Sequence, residues 1–331
     1  MKIVADRDIP FLRGVLEPWA EVRYLAGEAI GPADVREADA LIVRTRTRCD
    51  ARLLAGSRVQ LVVTATIGFD HIDTAWCDAH GIRWRTAVGC NARGVLQWVA
   101  AALVWLAQRE GWHPAERTLG VVGVGHVGSL VAEYAAAWGF RVLGCDPPRE
   151  ARERCGFLPL EEVAAASDIL TFHTPLDDTT RHLIDGRLLR LLPPKAVVIN
   201  ASRGEVADTA ALLAGEHPCI LDVWENEPHP DPALLERALL ATPHIAGYSR
   251  QGKANATAMA VAAVAEQFGL PLGGWYPAEV TPSRPRPIGW EELCRTIGGS
   301  CDLAAETARF KAGPSAFESL RNKYIYREEY F

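Results

Sequence analysis

Residues 118–148 read TLGVVGVGHVGSLVAEYAAAWGFRVLGCDPP, and this stretch decides the fold. The apolar, partly β-branched run 119–124 is typical of a strand that is buried on both faces of a parallel sheet. The apolar residues that follow recur at helical period, and the run 141–145 predicts a second strand, which ends at Asp146. Between the first strand and the helix, glycines occur at the spacing G-x-G-x-x-G: Gly123, Gly125 and Gly128.

This order of strand, glycines, helix, strand and acid predicts a dinucleotide site. The first glycine permits a tight turn, the second lets a pyrophosphate approach the backbone, and the third lets the helix pack closely on the strand. The N-terminus of the helix supplies N–H donors for phosphate oxygens. Asp146 can accept hydrogen bonds from ribose hydroxyls and would repel an additional phosphate, which favours NAD over NADP. An ordinary glycine-rich turn would need neither the flanking strands and helix nor the acidic residue after the second strand.

Composition limits the classes of protein that this chain can represent. At 331 residues it is long enough for two domains and a small third one. A formal charge of −6 argues against general affinity for nucleic acid or for acidic membranes. None of the eight cysteines occurs in a C-x-x-C pair, so we predict neither a metal site nor a disulfide framework. Reduced thiols are typical of a cytoplasmic protein, and the apolar run 95–107 is too short to span a membrane.

The alternation of strands and short helices predicts an α/β fold with two doubly wound parallel sheets. We expect residues 1–92, with a returning helix at 253–275, to form a flavodoxin-like substrate domain. Residues 93–252 are expected to form a Rossmann domain for NAD. Residues 276–331 are expected to form a short α/β or helical extension, a candidate dimerisation element. Within the first domain, the segment 9–19 is predicted to be helical.

Candidate catalytic side chains follow strands of the predicted Rossmann domain. Ligands of open α/β sheets bind at the carboxyl ends of the strands, and three of these loops contain Arg203, the pair Glu225 and Glu227, and His244. A guanidinium can bind a carboxylate in a fork and polarise a developing carbonyl. An imidazole can take a hydroxyl proton near neutral pH, and a carboxylate behind it fixes the tautomer. This set predicts oxidation of an alcohol beside a carboxylate.

The loops at the predicted strand ends carry recognisable motifs: VVGVGHVG, DILTFHTPL, VINASRGEVAD, LDVWENEP and TPHIAGY. Together they resemble the motif set of the NAD-dependent, D-isomer-specific 2-hydroxyacid dehydrogenases. The segments MKIVADRDIPF, VVTATIGFDHIDTAW and FESLRNKY narrow the resemblance to one branch of that family. The resemblance implies NAD-dependent oxidation of 4-phospho-D-erythronate to 2-oxo-3-hydroxy-4-phosphobutanoate in pyridoxal 5'-phosphate biosynthesis. It also implies a homodimer, and it leaves open whether a tail arginine such as Arg321 reaches the active site of the partner.

The resemblance further implies roles for individual residues. Arg203 would bind the substrate carboxylate, His244 would be the acid–base, and Glu227 would be its acidic partner. Cofactor contacts are implied for Gly123, Gly125, His126, Val127, Gly128, Asp146, Thr174, Ala201, Asp222 and Gly247. Substrate contacts are implied for Arg44, Thr45, Arg46, Thr66 and Tyr248.

Alternatives remain beside these interpretations. Glu225 follows the same strand as Glu227, and only the resemblance favours Glu227. His71 and His173 also follow strands, and we interpret them as hydrogen-bonded loop residues. The arginines at 44–48 would form a solvated charge run if they did not bind a substrate phosphate. The alternative enzyme is another D-2-hydroxyacid dehydrogenase, acting on 3-phosphoglycerate or an unphosphorylated acid. The alternative of another class is a non-catalytic, NAD-sensing binding protein.

Overall fold

The computed structural model describes residues 1–331 and divides them into two compact units. Unit 1 comprises residues 1–91 and 250–283, and unit 2 comprises residues 92–249 and 284–331. Each unit contains one parallel sheet with helices. The predicted α/β class, with two doubly wound sheets, is therefore confirmed.

Unit 1 is built on a five-stranded sheet in the order β2-β1-β3-β4-β5, which is the flavodoxin-like order. The strands are β1 (Lys2–Asp6), β2 (Glu21–Leu25), β3 (Ala40–Val43), β4 (Leu61–Thr64) and β5 (Arg83–Thr86). The helices between them are α1 (Pro32–Val35), α2 (Ala51–Leu54) and α3 (Thr74–Ala79). Every residue of β3 and β4 is buried, which explains why β3 and the first three residues of β4 are apolar.

The predicted helix at residues 9–19 is wrong, because this segment is a series of turns. Phe11 and Gly14 have φ angles of +62° and +87°, which a right-handed helix does not allow. Leu12 and Leu16 are both fully buried in the core of unit 1. Their spacing of four residues imitates a helical period, and this spacing produced the wrong prediction.

Unit 2 begins with the long buried helix α4 (Ala92–Glu110) and contains a six-stranded sheet in the order β11-β10-β9-β8-β6-β7. Its strands are β6 (Thr118–Val122), β7 (Arg141–Cys145), β8 (Ile169–Phe172), β9 (Val197–Asn200), β10 (Cys219–Leu221) and β11 (Leu240–Ala241). The connecting helices are α5 (His126–Trp138), α6 (Pro147–Glu153), α7 (Leu160–Ala166), α8 (Gly186–Leu189), α9 (Thr209–Ala214) and α10 (Pro232–Arg237). Strand order reverses at β6, so the glycine-rich turn lies at the switch point where such sheets bind ligands.

The remaining helices complete the two units. Helix α11 (Arg250–Phe268) belongs to unit 1 and contributes Ala260, Val261 and Val264 to its core. The rest belong to unit 2: α12 (Trp290–Ser300), α13 (Leu303–Ala312) and α14 (Phe317–Asn322). None of the helices combines the length and the apolar character that crossing a membrane requires.

Candidate active site

The glycine-rich turn of unit 2 has the shape that a dinucleotide phosphate requires. Gly123 has a φ of +83°, and a Cβ atom at Gly128 would lie 2.0 Å from the Gly123 carbonyl oxygen. Neither position therefore accommodates a side chain. A Cβ atom at Gly125 would meet nothing within 4 Å, so the backbone is open there. No side chain caps the N-terminus of α5, which begins at His126 and continues with Val127. Its N–H groups are directed to where a phosphate would lie.

Asp146 is positioned at the end of β7 by two backbone contacts. Its Oδ2 atom accepts a hydrogen bond from the Val124 N–H at 2.8 Å, and Oδ1 accepts one from the Arg149 N–H at 2.9 Å. Carboxylate oxygens have further lone pairs, so the group can still accept bonds from ribose hydroxyls. The carboxylate is thus fixed beside the glycine-rich turn, where an acid selects NAD.

Thr174 shows independently that this groove fits a polar ligand. Its hydroxyl is buried and has no hydrogen-bond partner in the protein. Because buried polar groups are normally paired, an orphaned hydroxyl beside the phosphate turn favours a missing ligand as its partner. The other predicted cofactor residues differ in exposure, since Ala201 and Gly247 are half-buried and Asp222 is fully buried. The residues of unit 2 therefore fit NAD.

Asp222 organises the backbone next to the histidine. Its Oδ1 atom accepts bonds from the Thr242 hydroxyl at 2.5 Å and the Ile245 N–H at 2.8 Å, and Oδ2 accepts one from the Ala246 N–H at 2.9 Å. Burial raises the pKa of Asp222, although the hydrogen bonds and the nearby His244 oppose this shift. Its carboxylate therefore fixes the backbone that follows His244.

The three predicted catalytic residues follow adjacent strands of one sheet. Arg203 follows β9, Glu227 follows β10 and His244 follows β11. These strands are parallel neighbours, so their carboxyl ends and the loops after them lie at the same edge of the sheet.

His244 and Glu227 form a hydrogen-bonded pair. Nδ1 of His244 donates to Oε2 of Glu227 at 2.8 Å, because an ionised carboxylate only accepts. Burial raises the pKa of Glu227, but His244, Arg321 and the Trp224 N–H outweigh this effect and hold the pKa below its ordinary value of 4.5. Glu227 is thus anionic near neutral pH and accepts the Nδ1–H of His244, which leaves Nε2 as the ring nitrogen that can face a substrate. His244 itself has a φ of +58°, a conformation that the surrounding structure must support.

Arg203 lies in a tightly constrained loop. Its carbonyl accepts a bond from Asn200 Nδ2 at 2.9 Å, and its own Nη1 donates to the Ser202 carbonyl at 2.7 Å. A Cβ atom on the next residue, Gly204, would lie 2.0 Å from the Trp224 backbone, so only glycine fits. Close packing of this loop against the chain after β10 sets the position of the arginine.

The other two candidate histidines are hydrogen-bonded loop residues, as predicted. His71 Nε2 lies 3.1 Å from the Thr64 hydroxyl, and burial lowers the pKa of His71 to about 4. His173 Nε2 lies 3.1 Å from the Thr171 hydroxyl, and burial lowers the pKa of His173 to about 3. Both imidazoles are therefore neutral near pH 7.

The remaining predicted substrate residues, apart from Tyr248, lie in unit 1. Arg44 pairs with Asp6 at 2.9 Å and with Asp8 at 3.0 Å, so two carboxylates offset its charge. Thr45 and Arg46 are exposed in the turn after β3. The strand ends at Val43, and the arginines therefore do not continue it along one face. An open cavity beside them is lined by Arg46, Arg48 and Arg52. The Thr66 hydroxyl lies 2.6 Å from that of Thr64 and donates to the Gly68 carbonyl at 3.0 Å.

Similarity to known proteins identifies the family. A family model described as "D-isomer specific 2-hydroxyacid dehydrogenase, NAD binding domain" matches residues 92–246. An erythronate-4-phosphate dehydrogenase of Bacteroides fragilis is 44% identical over 345 residues, which cover 99% of this chain and 97% of the relative. The chain belongs to the D-isomer-specific 2-hydroxyacid dehydrogenases. The predicted family and its NAD-dependent oxidoreductase chemistry are thereby confirmed.

Further members of the dehydrogenase family agree with this assignment. An erythronate-4-phosphate dehydrogenase of Porphyromonas gingivalis is 41% identical over 349 residues, covering 99% of this chain and 94% of that protein. Among solved structures, D-lactate dehydrogenase of Aquifex aeolicus with NAD and lactic acid has a TM-score of 0.67 at 25% identity, covering 86% of this chain and all of that one. NAD-bound 3-phosphoglycerate dehydrogenase of Entamoeba histolytica has a TM-score of 0.68 at 25% identity, covering 82% of this chain and 97% of that one.

The sequence leaves open whether Arg321 of the tail reaches a neighbouring active site, and the structure places it near Tyr248 and Glu227 of its own chain. The guanidinium lies 5.9 Å from the ring centroid of Tyr248, and it contributes to the lowered pKa of Glu227. Its Nε atom is buried and has no hydrogen-bond partner. The tail motif FESLRNKY contains this arginine, but nothing in its polar composition indicates which element it would contact.

Proposed function

We propose that this dehydrogenase oxidises 4-phospho-D-erythronate to 2-oxo-3-hydroxy-4-phosphobutanoate with NAD. The observation that carries the proposal is the His244–Glu227 pair, at 2.8 Å, in a chain that is 44% identical to an erythronate-4-phosphate dehydrogenase over nearly its whole length. The phosphorylated substrate is inferred from the names of the relatives. The acid–base pair accounts for the proton transfer that the oxidation requires.

Each catalytic residue has a separate role in the oxidation at carbon 2 of the substrate. Nδ1 of His244 is bonded to Glu227, so Nε2 takes the proton of the C2 hydroxyl. Glu227 stabilises the imidazolium that results. Arg203 binds the C1 carboxylate and polarises the carbonyl that develops at C2. Bound NAD supplies the acceptor for the hydride that leaves C2.

Substrate contacts from unit 1 are part of the proposal. We assign Thr45, Arg46 and Thr66 to the substrate, with Arg46 as a phosphate contact, because it lines an open cavity in which three arginines outnumber two acidic residues. Arg44 remains a candidate phosphate contact, and its ion pairs with Asp6 and Asp8 also shape this loop. Tyr248 is assigned to the substrate from unit 2.

The test is formation of NADH with purified protein. We expect kcat/KM for 4-phospho-D-erythronate to exceed that for D-erythronate and for 3-phosphoglycerate. Arg46→Ala should raise KM for the phosphorylated acid more than it lowers kcat, because it removes binding without removing the base. Faster turnover of 3-phosphoglycerate or an unphosphorylated acid would favour the alternative enzyme. Tight NAD binding without any turnover would favour a binding protein.

We also propose a homodimer in a reducing compartment such as the cytoplasm. All eight cysteines are free, and most are buried, which suits a compartment that keeps thiols reduced. Light scattering coupled to gel filtration would test the oligomeric state, because a single species at the monomer mass would exclude the dimer. Fractionation of cells that express the chain would test the compartment.

A further inference from the structure

The C-terminal segment of the chain contacts the loop that carries the catalytic histidine. We define the His244 loop as residues 242–249 and the tail segment as residues 324–331. Arg327, in the tail segment, is 6% exposed. Its Nη1 donates to the Ile245 carbonyl at 3.2 Å, and its Nη2 donates to the Ala246 carbonyl at 2.6 Å. Both carbonyls belong to residues that directly follow His244.

The guanidinium of Arg327 is bonded almost entirely to backbone. Nη2 also donates to the Gly94 carbonyl at 3.3 Å, and Nη1 donates to the Tyr324 hydroxyl at 2.8 Å. No carboxylate is within hydrogen-bond distance, so this is not an ordinary buried ion pair. A buried charge must be hydrogen-bonded to be tolerated, and here the bonds that stabilise it are those that fix the His244 loop.

The opposite side of the same peptides is bonded to Asp222. Its carboxylate accepts from the N–H groups of Ile245 and Ala246, while Arg327 donates to the carbonyl groups of these two residues. The peptides after His244 are thus bonded on both sides, by the buried Asp222 side chain and the buried Arg327 guanidinium. This arrangement can support the φ of +58° at His244, which an unsupported chain rarely adopts.

The tail segment makes further contacts along the same loop. Ser249 pairs with Arg327 in a parallel bridge, and the Ser249 hydroxyl donates to Glu329 Oε1 at 2.5 Å. The rings of Tyr324 and Tyr326 pack edge-on against Tyr248, with centroids at 6.1 Å and 6.0 Å. The contacts extend from the residue after the histidine to the end of the loop.

We propose that the tail segment is a positioning element for the acid–base histidine, with Arg327 as its central residue. This inference rests on the proposed function, in which His244 takes the substrate proton. Arg327 acts through the backbone of residues 245 and 246 and sets the direction of the imidazole toward the substrate. Loss of Arg327 would therefore slow the chemical step more than it weakens binding of NAD.

The first experiment compares Arg327→Met, Arg327→Lys and Arg309→Met. Arg309 is the control, because it lies in the same extension and forms an exposed ion pair with Glu306. We expect Arg327→Met to lower kcat about 100-fold, within the range of acid–base contributions, while Kd for NADH changes little. Arg327→Lys should restore part of the loss, since an ammonium can also donate to carbonyls. Wild-type kcat in folded Arg327→Met, or an equal loss in Arg309→Met, would overturn the proposal.

The second experiment does not depend on turnover. Hydrogen exchange followed by mass spectrometry reports the amides of Ile245 and Ala246 directly. We expect faster exchange across residues 242–249 in Arg327→Met and not in Arg309→Met. Unchanged exchange would overturn the proposal even if the wild-type protein oxidised a different acid. Failure of the proposed function alone would leave the exchange difference in place.

Milder variants keep the proposal testable if Arg327→Met does not fold. Tyr324→Phe and Glu329→Gln each remove or weaken one contact of the tail segment. We expect both to lower kcat several-fold, with a larger primary isotope effect from substrate deuterated at carbon 2. Wild-type kcat and exchange in both variants would refute a positioning role.

Discussion

Nδ1 of His244 lies 2.8 Å from Oε2 of Glu227, while the other oxygen of that carboxylate accepts the Trp224 N–H at 3.1 Å. The carboxylate therefore has one oxygen fixed by backbone and one bonded to the imidazole. A carboxylate that cannot rotate freely gives the histidine one tautomer and one orientation. The neighbouring Glu225 has a different role, because it accepts bonds from Thr209 N–H and lies 2.7 Å from His182 Nε2.

Glu227→Gln should lower kcat about 100-fold, because the neutral amide no longer stabilises the imidazolium. Steady-state kinetics of NADH formation measure this loss, and Kd for NADH should stay near the wild-type value. Glu225→Gln is the matched control, since it removes a carboxylate from the same loop without touching His244. A greater loss in Glu225→Gln than in Glu227→Gln would reverse the two assignments.

Alanine substitutions at two glycines of the dinucleotide turn should affect different properties, namely stability and NADH affinity. Gly128→Ala places a Cβ atom 2.0 Å from the Gly123 oxygen and should lower the melting temperature. Gly125→Ala meets no protein atom within 4 Å, so the protein should stay folded but bind NADH more weakly. Thermal unfolding and quenching of protein fluorescence by NADH separate these effects. Unchanged NADH affinity in Gly125→Ala would argue against a pyrophosphate beside that residue.

Asp146 should determine the preference for NAD over NADP. Asp146→Ser removes a negative charge from the end of β7, and the ratio of kcat/KM for NADP to that for NAD should rise about tenfold or more. Glu162→Gln serves as the control, because it removes an exposed carboxylate on α7. If the cofactor ratio stays constant in Asp146→Ser, the ribose lies elsewhere.

Buried neutral histidines should make stability depend on pH below 6.5. Burial lowers the pKa of His71 from 6.5 to about 4 in the folded protein. Between these values the unfolded chain binds a proton that the folded protein does not, so the free energy of unfolding falls as the pH falls. The contribution of one such proton is at most about 1.4 kcal/mol per pH unit.

Urea unfolding at pH 7.5 and pH 5.5 measures this dependence. His71→Gln should reduce the difference between the two pH values, because the amide does not titrate. His229→Gln, at an exposed histidine, should leave the difference as it is in the wild type. An unaltered difference in His71→Gln would mean that other groups account for the pH dependence.

The sheets could be predicted from sequence because strands buried on both faces of a parallel sheet must be apolar throughout. The runs at 40–43, 61–63 and 119–122 show this pattern, and each lies within a strand. The segment 9–19 could not be predicted in the same way. Its buried leucines have helical spacing, but the left-handed conformations at Phe11 and Gly14 depend on packing against the rest of unit 1.

The candidate site could be predicted where a motif identifies both a functional residue and the strand that the residue follows. His244 and Glu227 follow adjacent strands, so their motifs predict that the two side chains lie close together. Arg321 and Arg327 could not be placed, because their contacts lie far away in sequence and their own segment has no apolar period. The ion pair of Arg44 with Asp6 could not be predicted either, since nothing in the sequence indicates that this aspartate is buried.

Each unit is assembled from two separate stretches of chain, and the polypeptide passes between units after residues 91, 249 and 283. Helix α11 packs in the core of unit 1 but is synthesised about 160 residues after the last strand of that sheet. Contacts between residues so far apart in sequence form slowly, so we expect the core of unit 1 to be completed late in folding. No single cut in the polypeptide would release either unit as an intact, independently folding fragment.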